Sequence, residues 1–134
     1  MATWTKFNSF VEARNEGIHD IGSDTIKVAL TNSAPSASDT VLTDITQITS
    51  AGGYAAATMT INSSAQAGGT YTASHDAVAW TPSGADFDAF RYFVVYNDTA
   101  ASDELMAWAD YGVSYVTPDG VPLTINAGDL LTDA

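Results

Sequence analysis

The chain contains no cysteine. Disulfides, thiolate metal sites and cysteine nucleophiles are therefore excluded, and packing alone has to hold the fold together. A chain of 134 residues is long enough for this, because a domain of that size buries roughly two-thirds of the surface of its unfolded chain. We expect one domain that spans residues 1–134.

Basic residues are almost as scarce. Sixteen Asp and Glu side chains face only Lys6, Arg14, Lys27 and Arg91, which gives a net charge of −12. Four cations cannot form the basic patch that a phosphate backbone requires, so we expect no direct binding to nucleic acid. The acidity either serves solubility alone or matches a partner surface of positive charge.

Long apolar runs are missing as well. No stretch approaches the roughly 18 apolar residues of a membrane-spanning helix. The first residues lack the charged start and apolar run of a signal peptide, so we expect a soluble chain without a membrane partner.

The residues that are present alternate with the period of a β-strand. Ile26, Val28 and Leu30 alternate with more polar neighbours, which predicts a strand with one buried face. Residues 90–96 are apolar on both faces apart from Arg91, which is typical of a central strand. Gly68-Gly69 predicts a hairpin. The sequence therefore predicts an all-β fold, an antiparallel β-sandwich of jelly-roll or Ig-like type with about seven or eight strands.

Other segments add strands with less certain ends. Residues 105–111 form a predicted strand with Met106 and Trp108 on one face, and residues 113–116 and 121–125 form two more. The segment 117–120 between them is a turn, because Pro118 presets its φ and Gly120 accepts positive φ. Residues 41–48 fit a short strand or a helical turn, and residues 128–134 fit a strand end or a loose tail.

The beginning of the chain has a helical pattern. Apolar residues at spacings of three and four predict a short helix over residues 5–16, capped by Thr3 or Thr5 and ended by Gly17. This segment either packs on its own domain or acts within an N-terminal arm, residues 1–22, that docks on a neighbouring subunit. The candidate partner-binding residues are Trp4, Phe7, Phe10, Val11 and Arg14. If the segment is a docking arm, we expect deletion of residues 1–16 to weaken attachment to the partner more than it weakens folding.

No motif predicts catalysis. Ser74-His75-Asp76 contains the residue types of a hydrolase triad, but consecutive strand residues point to opposite faces. The serine–imidazole–carboxylate chain therefore cannot form. We expect a binding protein without catalytic residues, and Ser74→Ala without effect.

No motif predicts a metal or cofactor site either. His19 and His75 lack a paired ligand spacing. Asp86 and Asp88 could bind Ca²⁺ with loop carbonyls, but the full calcium-loop pattern is absent, and the alternative is a solvated acidic loop. The same holds for Asp103 and Glu104.

Aromatic residues leave one further alternative open. An exposed Trp or Tyr on a β-sandwich could stack on sugars, as in carbohydrate-binding modules. Trp80 and Trp108 lie within apolar alternation, so we expect them in the core. Trp4 precedes the helix and is the better candidate for a contact between chains.

Several stretches together resemble a known class of proteins. They are Phe7-Asn8-Ser9-Phe10-Val11-Glu12, the segment 17–35 beginning Gly17-Ile18-His19-Asp20, then Phe90-Arg91-Tyr92 and Tyr96-Asn97-Asp98-Thr99. The chain resembles small structural proteins of the virions of tailed bacteriophages, over most of its length.

The resemblance implies a virion component made in the cytoplasm of the bacterial host, specifically a head decoration (cement) protein on the capsid exterior. The implied partners are the major capsid protein and further copies of the chain. The alternative within the same class is a tail or fibre protein that contacts the host surface. The net charge favours the outer face of the shell, because packaged DNA lies against the inner face.

Overall fold

The structure is a computed structural model that describes residues 3–133, and the side chains of residues 3–132. Within this range the chain forms one α-helix, two 3₁₀ helices and ten strands. The helix α1 spans Asn8–Asn15, and the 3₁₀ helices span Leu42–Asp44 and Ala51–Gly53. The strands are β1 Thr5–Lys6, β2 Ile26–Thr31, β3 Ala57–Met59, β4 Ile61–Ala67, β5 Thr70–His75, β6 Val78–Trp80, β7 Phe90–Asn97, β8 Leu105–Tyr115, β9 Leu123–Ile125 and β10 Gly128–Asp133.

The largest sheet has five strands in the order β1-β8-β7-β2-β3. All of its pairings are antiparallel. A three-stranded sheet with the order β10-β5-β4 and a two-stranded sheet of β6 and β9 form the opposing layer. One core cluster joins the two layers, with Leu30, Phe93 and Val95 from the large sheet and Trp80, Ile125 and Leu131 from the layer opposite. The predicted all-β sandwich is confirmed.

The number of strands exceeds the prediction for a local reason. The apolar pattern over residues 57–67 fits one strand, but Thr60 separates β3 from β4, and the two belong to different sheets. The short β1 adds a further strand beside Ala107 and Trp108.

The large sheet is covered on both faces. Phe7, Ala29, Val94, Tyr96 and Leu105 form a second cluster on its other side. The central position of β7 is confirmed. The prediction that β2 has one polar face is wrong, because Ala29 and Thr31 are fully buried under this second cluster.

The prediction for β8 is wrong in two respects. The strand continues through residue 115, so residues 105–111 and 113–116 are one element. Met106 and Trp108 also do not share a face, because the register shifts between Val95 and Tyr96 and leaves an extra residue on β8. Such a bulge turns the following side chains over, and Met106 enters the main core while Trp108 packs against the second cluster.

The hairpin of β4 and β5 agrees with the prediction. Ala67 pairs with Thr70 across the two-residue turn Gly68-Gly69. Both glycines have positive φ, 59° and 84°, as a type I′ turn requires. Beyond Ile61 the side chains of β4 are exposed, and β4 lies at the edge of its three-stranded sheet.

The N-terminal helix starts later than predicted. Thr5 lies in β1, and the N-cap is Phe7, which provides no side-chain hydrogen bond, so neither Thr3 nor Thr5 is the cap. The predicted end is confirmed. Gly17 has a φ of 79°, and the N–H groups of Gly17 and Ile18 donate to the carbonyls of Arg14 and Ala13. This is a Schellman motif, which needs a left-handed residue after the helix.

Two remaining segments have simple outcomes. The stretch 41–48, which fitted a strand or a helical turn, contains the 3₁₀ helix Leu42–Asp44 and isolated bridges at Val41 and Gln47. The stretch 128–134 is the strand β10 as far as the description reaches. No helix in the described range has the length and apolar character to cross a membrane.

Candidate functional site

The side chains of Ser74, His75 and Asp76 have separate partners. The Ser74 hydroxyl donates to Asp129 Oδ1 at 2.7 Å. The His75 ring is buried, its Nδ1 lies 2.7 Å from the backbone carbonyl oxygen of Asp76, and Trp4 packs edge-on against it. Because no serine–imidazole hydrogen bond joins Ser74 and His75, the three residues do not form the arrangement that acyl transfer requires.

His19 belongs to a buried polar cluster at the end of β7. The amide nitrogen of Asn97 donates to Asp24 Oδ2 at 2.6 Å and lies 3.0 Å from His19 Nδ1. The amide oxygen of Asn97 accepts the backbone N–H groups of Thr99 and Ala100. Asn97 therefore fixes both the loop that precedes β2 and the loop that follows β7. Its side chain acts as a structural clamp.

Burial determines the charge state of His19. Its ring stacks on Phe10 with centroids 5.3 Å apart, and among the described residues its Nε2 has no hydrogen-bond partner. Burial lowers the pKa of His19, and the carboxylates of Glu104 and Asp24 oppose this effect only in part. His19 is thus neutral at pH 7, and it connects α1 to the cluster around Asn97.

The acidic pair Asp86 and Asp88 braces two different loops. Asp86 Oδ1 accepts the backbone N–H of Asp119 at 2.8 Å. Asp88 Oδ2 accepts both the backbone N–H and the hydroxyl of Thr49. Phe87 between them is buried in the core. The two carboxylates thus point to separate segments, and no group of three or more potential ligands exists in the part of the chain that the structure describes.

Asp103 and Glu104 lie at a tight turn before β8. Asp103 has a φ of 52°, and burial together with the charges of Asp98 and Glu104 raises its pKa. Glu104 Oε1 accepts the backbone N–H of Ser102 at 3.2 Å. Glu104 also lines a surface cleft of about 310 Å³ that includes Glu12 and Glu16. None of the residues that line this acidic cleft is Lys or Arg.

The five candidate partner-binding residues occupy different environments. Phe7 and Phe10 have 0% and 1% of their surface exposed and belong to the two separate core clusters. Trp4 is half-buried against the main core, and the guanidinium of Arg14 lies 5.7 Å from the Phe10 ring centroid. Val11 is 43% exposed. Of the three apolar residues expected on one helical stripe, only Val11 has an exposed side chain.

Of the other two tryptophans, Trp80 lies in the core as predicted, whereas Trp108 is only partly buried against the second cluster. Trp80 is buried in the main core, and its indole N–H donates to the carbonyl of Ala55 at 3.0 Å. Trp108 is half-buried and packs on Phe7, with ring centroids 4.7 Å apart. With 6% of its surface exposed, Trp80 forms no open platform for a sugar ring.

Exposed apolar side chains concentrate in one segment that the sequence analysis did not single out. Residues 111–121, here called the 111–121 segment, contain Tyr111, Val113, Val116 and Val121, each more than 40% exposed. They are four of the six large apolar side chains that are exposed in the described range. Asp119 is the one charged residue in the segment. Apolar and polar residues alternate at 113–116 as in a half-buried strand, so the sequence does not indicate that these side chains are exposed.

Contacts at the base hold the 111–121 segment in place. Tyr111 packs on Phe90 and Tyr115 with ring centroids 5.1 and 5.6 Å apart. Asp110 accepts the backbone N–H of Gly112 and two hydrogen bonds from Arg91, at 2.9 and 3.1 Å. The hydrogen bonds from Arg91 lower the pKa of Asp110. The segment is thus a preformed apolar surface on a strongly acidic protein.

Comparison with known proteins adds no relative. No protein-family model, no curated protein and no solved structure matches the chain.

Proposed function

We propose that the chain is a non-catalytic structural protein of a tailed-bacteriophage particle, and that it binds the outer face of the capsid as a decoration protein. The observation that carries this proposal is the 111–121 segment. Large apolar side chains held exposed by a rigid base are typical of a surface that a protein partner covers.

Charge supports the outer face of the shell. With a net charge of −12, the protein would be repelled by packaged DNA on the inner face. Exposed apolar side chains on a protein with a net charge of −12 fit a partner that is itself apolar at the contact and neutral or basic around it. From the resemblance to virion proteins, we propose the major capsid protein as that partner.

The polar side chains support binding over catalysis. Ser74, Asp86 and Asp88 each have a structural hydrogen-bond partner, on Asp129, Asp119 and Thr49 respectively. Such groups stabilise loops and strand ends. We therefore assign the function to the surface of the domain.

A matched pair of variants tests the proposal. Val113 is 58% exposed in the 111–121 segment, and Val11 is 43% exposed on α1. Purified protein is added to capsids that lack it, and occupancy is measured by cosedimentation. We expect Val113→Ser to weaken binding roughly tenfold, because about 1.5 kcal/mol of apolar burial is lost. We expect Val11→Ser to bind like the unchanged protein.

The two remaining outcomes contradict the proposal in different ways. Equal binding by both variants and the unchanged protein would remove the 111–121 segment from the interface. Weak binding by Val11→Ser alone would assign the interface to α1, as the docking-arm interpretation predicts.

A second candidate function rests on Tyr111. Its ring is 42% exposed and is supported from behind by Phe90 and Tyr115, an arrangement on which a sugar ring can stack. This corresponds to a tail or fibre protein that contacts host glycans. Glycan-array binding that is lost in Tyr111→Ala would favour it, and an array without signal would eliminate it.

A further inference from the structure

The outer edge of β4 is an open sheet edge. β4 pairs with β5 on one side, and on its other side no strand lies among the residues that the structure describes. In residues 3–133, no backbone hydrogen bond outside the ladder involves residues 61–67. An unpaired edge of seven residues is a template for another strand, and natural proteins usually block it with charge, proline or a covering loop.

Two of these protections, charge and proline, are missing from β4, while the loop residue Gly22 lies beside the Ser64 side chain. The sequence of β4, Ile-Asn-Ser-Ser-Ala-Gln-Ala, contains no charge and no proline. The other sheet edges differ from it. β1 has two residues and β3 has three, while β10 carries Asp129 and Asp133. β4 is therefore the one long, uncharged edge among the strands that the structure describes.

The charge distribution selects the occupant of this edge. Residues 45–75 contain no Asp, Glu, Lys or Arg, although these types make up 15% of the chain. Two copies of a protein with a net charge of −12 repel each other over most of their surface. The β4–β5 hairpin lies within this neutral stretch, and the charged side chains that share a cleft with Ser64 (Arg14 and Asp20) have opposite signs.

The register of the hairpin determines which backbone N–H and C=O groups of β4 point away from β5. Ala67 and Thr70 flank the two-residue turn, so Ala67, Ala65 and Ser63 direct their N–H and C=O groups toward β5. The alternate residues Ser64 and Gln66 direct theirs outward. Their backbone groups are available to a second strand.

We propose that two copies of the chain pair through β4, antiparallel, about a two-fold axis at Ala65. Ser64 of one copy then faces Gln66 of the second, which forms about four inter-chain hydrogen bonds. Ala65 faces Ala65 of the second copy in a non-hydrogen-bonded pair, where Cα atoms lie about 4.5 Å apart and a methyl side chain fits. The two three-stranded sheets join into a continuous sheet of six strands across the dimer.

Single-cysteine variants test this register, because the chain has no cysteine of its own. We expect Ala65→Cys to form a covalent dimer on mild oxidation, since about 4.5 Å between Cα atoms is within disulfide reach. Ala67→Cys is the matched control, on the same face of the same exposed strand. The two copies of residue 67 lie about 14 Å apart in the proposed dimer, too far for a disulfide. Equal cross-linking of both variants, or none in Ala65→Cys, overturns the proposal.

The molecular mass in solution provides a second test, which needs no cross-linking. We expect light scattering after gel filtration to give twice the 14.0 kDa chain mass. Ser64→Pro removes the outward N–H without touching the ladder to β5, so it should yield a monomer. Ser64→Ala controls for the lost hydroxyl contact to Tyr71, 2.9 Å away, and should remain a dimer. A monomeric unchanged protein, or a dimeric Ser64→Pro, refutes the pairing. Neither test involves the capsid, so failure here leaves the proposed function standing.

Discussion

Phe10→Ala tests whether the N-terminal helix is part of the folded domain. Phe10 has 1% of its surface exposed, lies in the main core and stacks on His19. Truncation of a buried Phe to Ala costs about 3–5 kcal/mol, since both the transfer energy and the packing around the cavity are lost. Domains of this kind have a free energy of unfolding of about 5–15 kcal/mol. We therefore expect this one change to remove roughly a fifth or more of the free energy of unfolding.

Urea denaturation, monitored by tryptophan fluorescence, measures this loss of stability. With an m-value of about 1.5 kcal/mol/M, the midpoint should fall by roughly 2–3 M. Val11→Ala is the control on the neighbouring residue, and its exposed side chain should change the free energy of unfolding by less than about 0.5 kcal/mol. If Phe10→Ala and the control had the same urea midpoint, the claim that the N-terminal helix is part of the folded domain would be refuted.

The same reasoning changes the expectation for deletion of residues 1–16. That deletion removes Phe7 and Phe10, one from each core cluster. We now expect it to abolish folding, and not merely to weaken attachment. A truncated chain that keeps its native near-ultraviolet circular dichroism would restore the interpretation of a dispensable arm.

Two further predictions concern His19 and Gly52. Burial lowers the pKa of His19, so the unfolded chain binds a proton at this ring more readily than the folded chain does. The stability that depends on the neutral ring is therefore lost as the pH falls below the ordinary value of about 6.5. The free energy of unfolding should therefore decrease from pH 7 to pH 5, and less steeply in His19→Gln; parallel curves would contradict this. Gly52 has a φ of 69°, and a Cβ there would lie 2.7 Å from the carbonyl oxygen of Ala85, whereas Gly53 has a φ of 79° and open space. Both alanine substitutions should cost about 1 kcal/mol or more from the left-handed backbone, and Gly52→Ala should cost clearly more; equal losses in urea titrations would show that the clash is relieved.

Much of the fold follows from local patterns. Alternation locates β2 and β7, and Gly68-Gly69 locates the hairpin, because these signals depend on neighbours along the chain. What the sequence conceals depends on distant contacts. The burial of Ala29 and Thr31 requires the second cluster beneath the large sheet. The opposite orientation of Met106 and Trp108 requires the bulge against β7.

The candidate interface was harder to predict than the fold. Phe10 and Val11 are equally apolar neighbours, and only the packing of α1 decides that one is buried and the other exposed. Val113 resembles an ordinary strand residue, but the register shift between Phe90 and Tyr92 leaves residues 111–114 between the paired residues Asp110 and Tyr115. Val116 lies beyond the end of β8. The absence of a catalytic arrangement at Ser74-His75-Asp76 was easier to predict, since it follows from strand geometry alone.

Cryo-electron microscopy of the phage particle tests the central claim most directly. The account predicts density for this sandwich on the outer face of the capsid, with the 111–121 segment against the major capsid protein. Density for the chain only in the tail, or inside the shell, would contradict it.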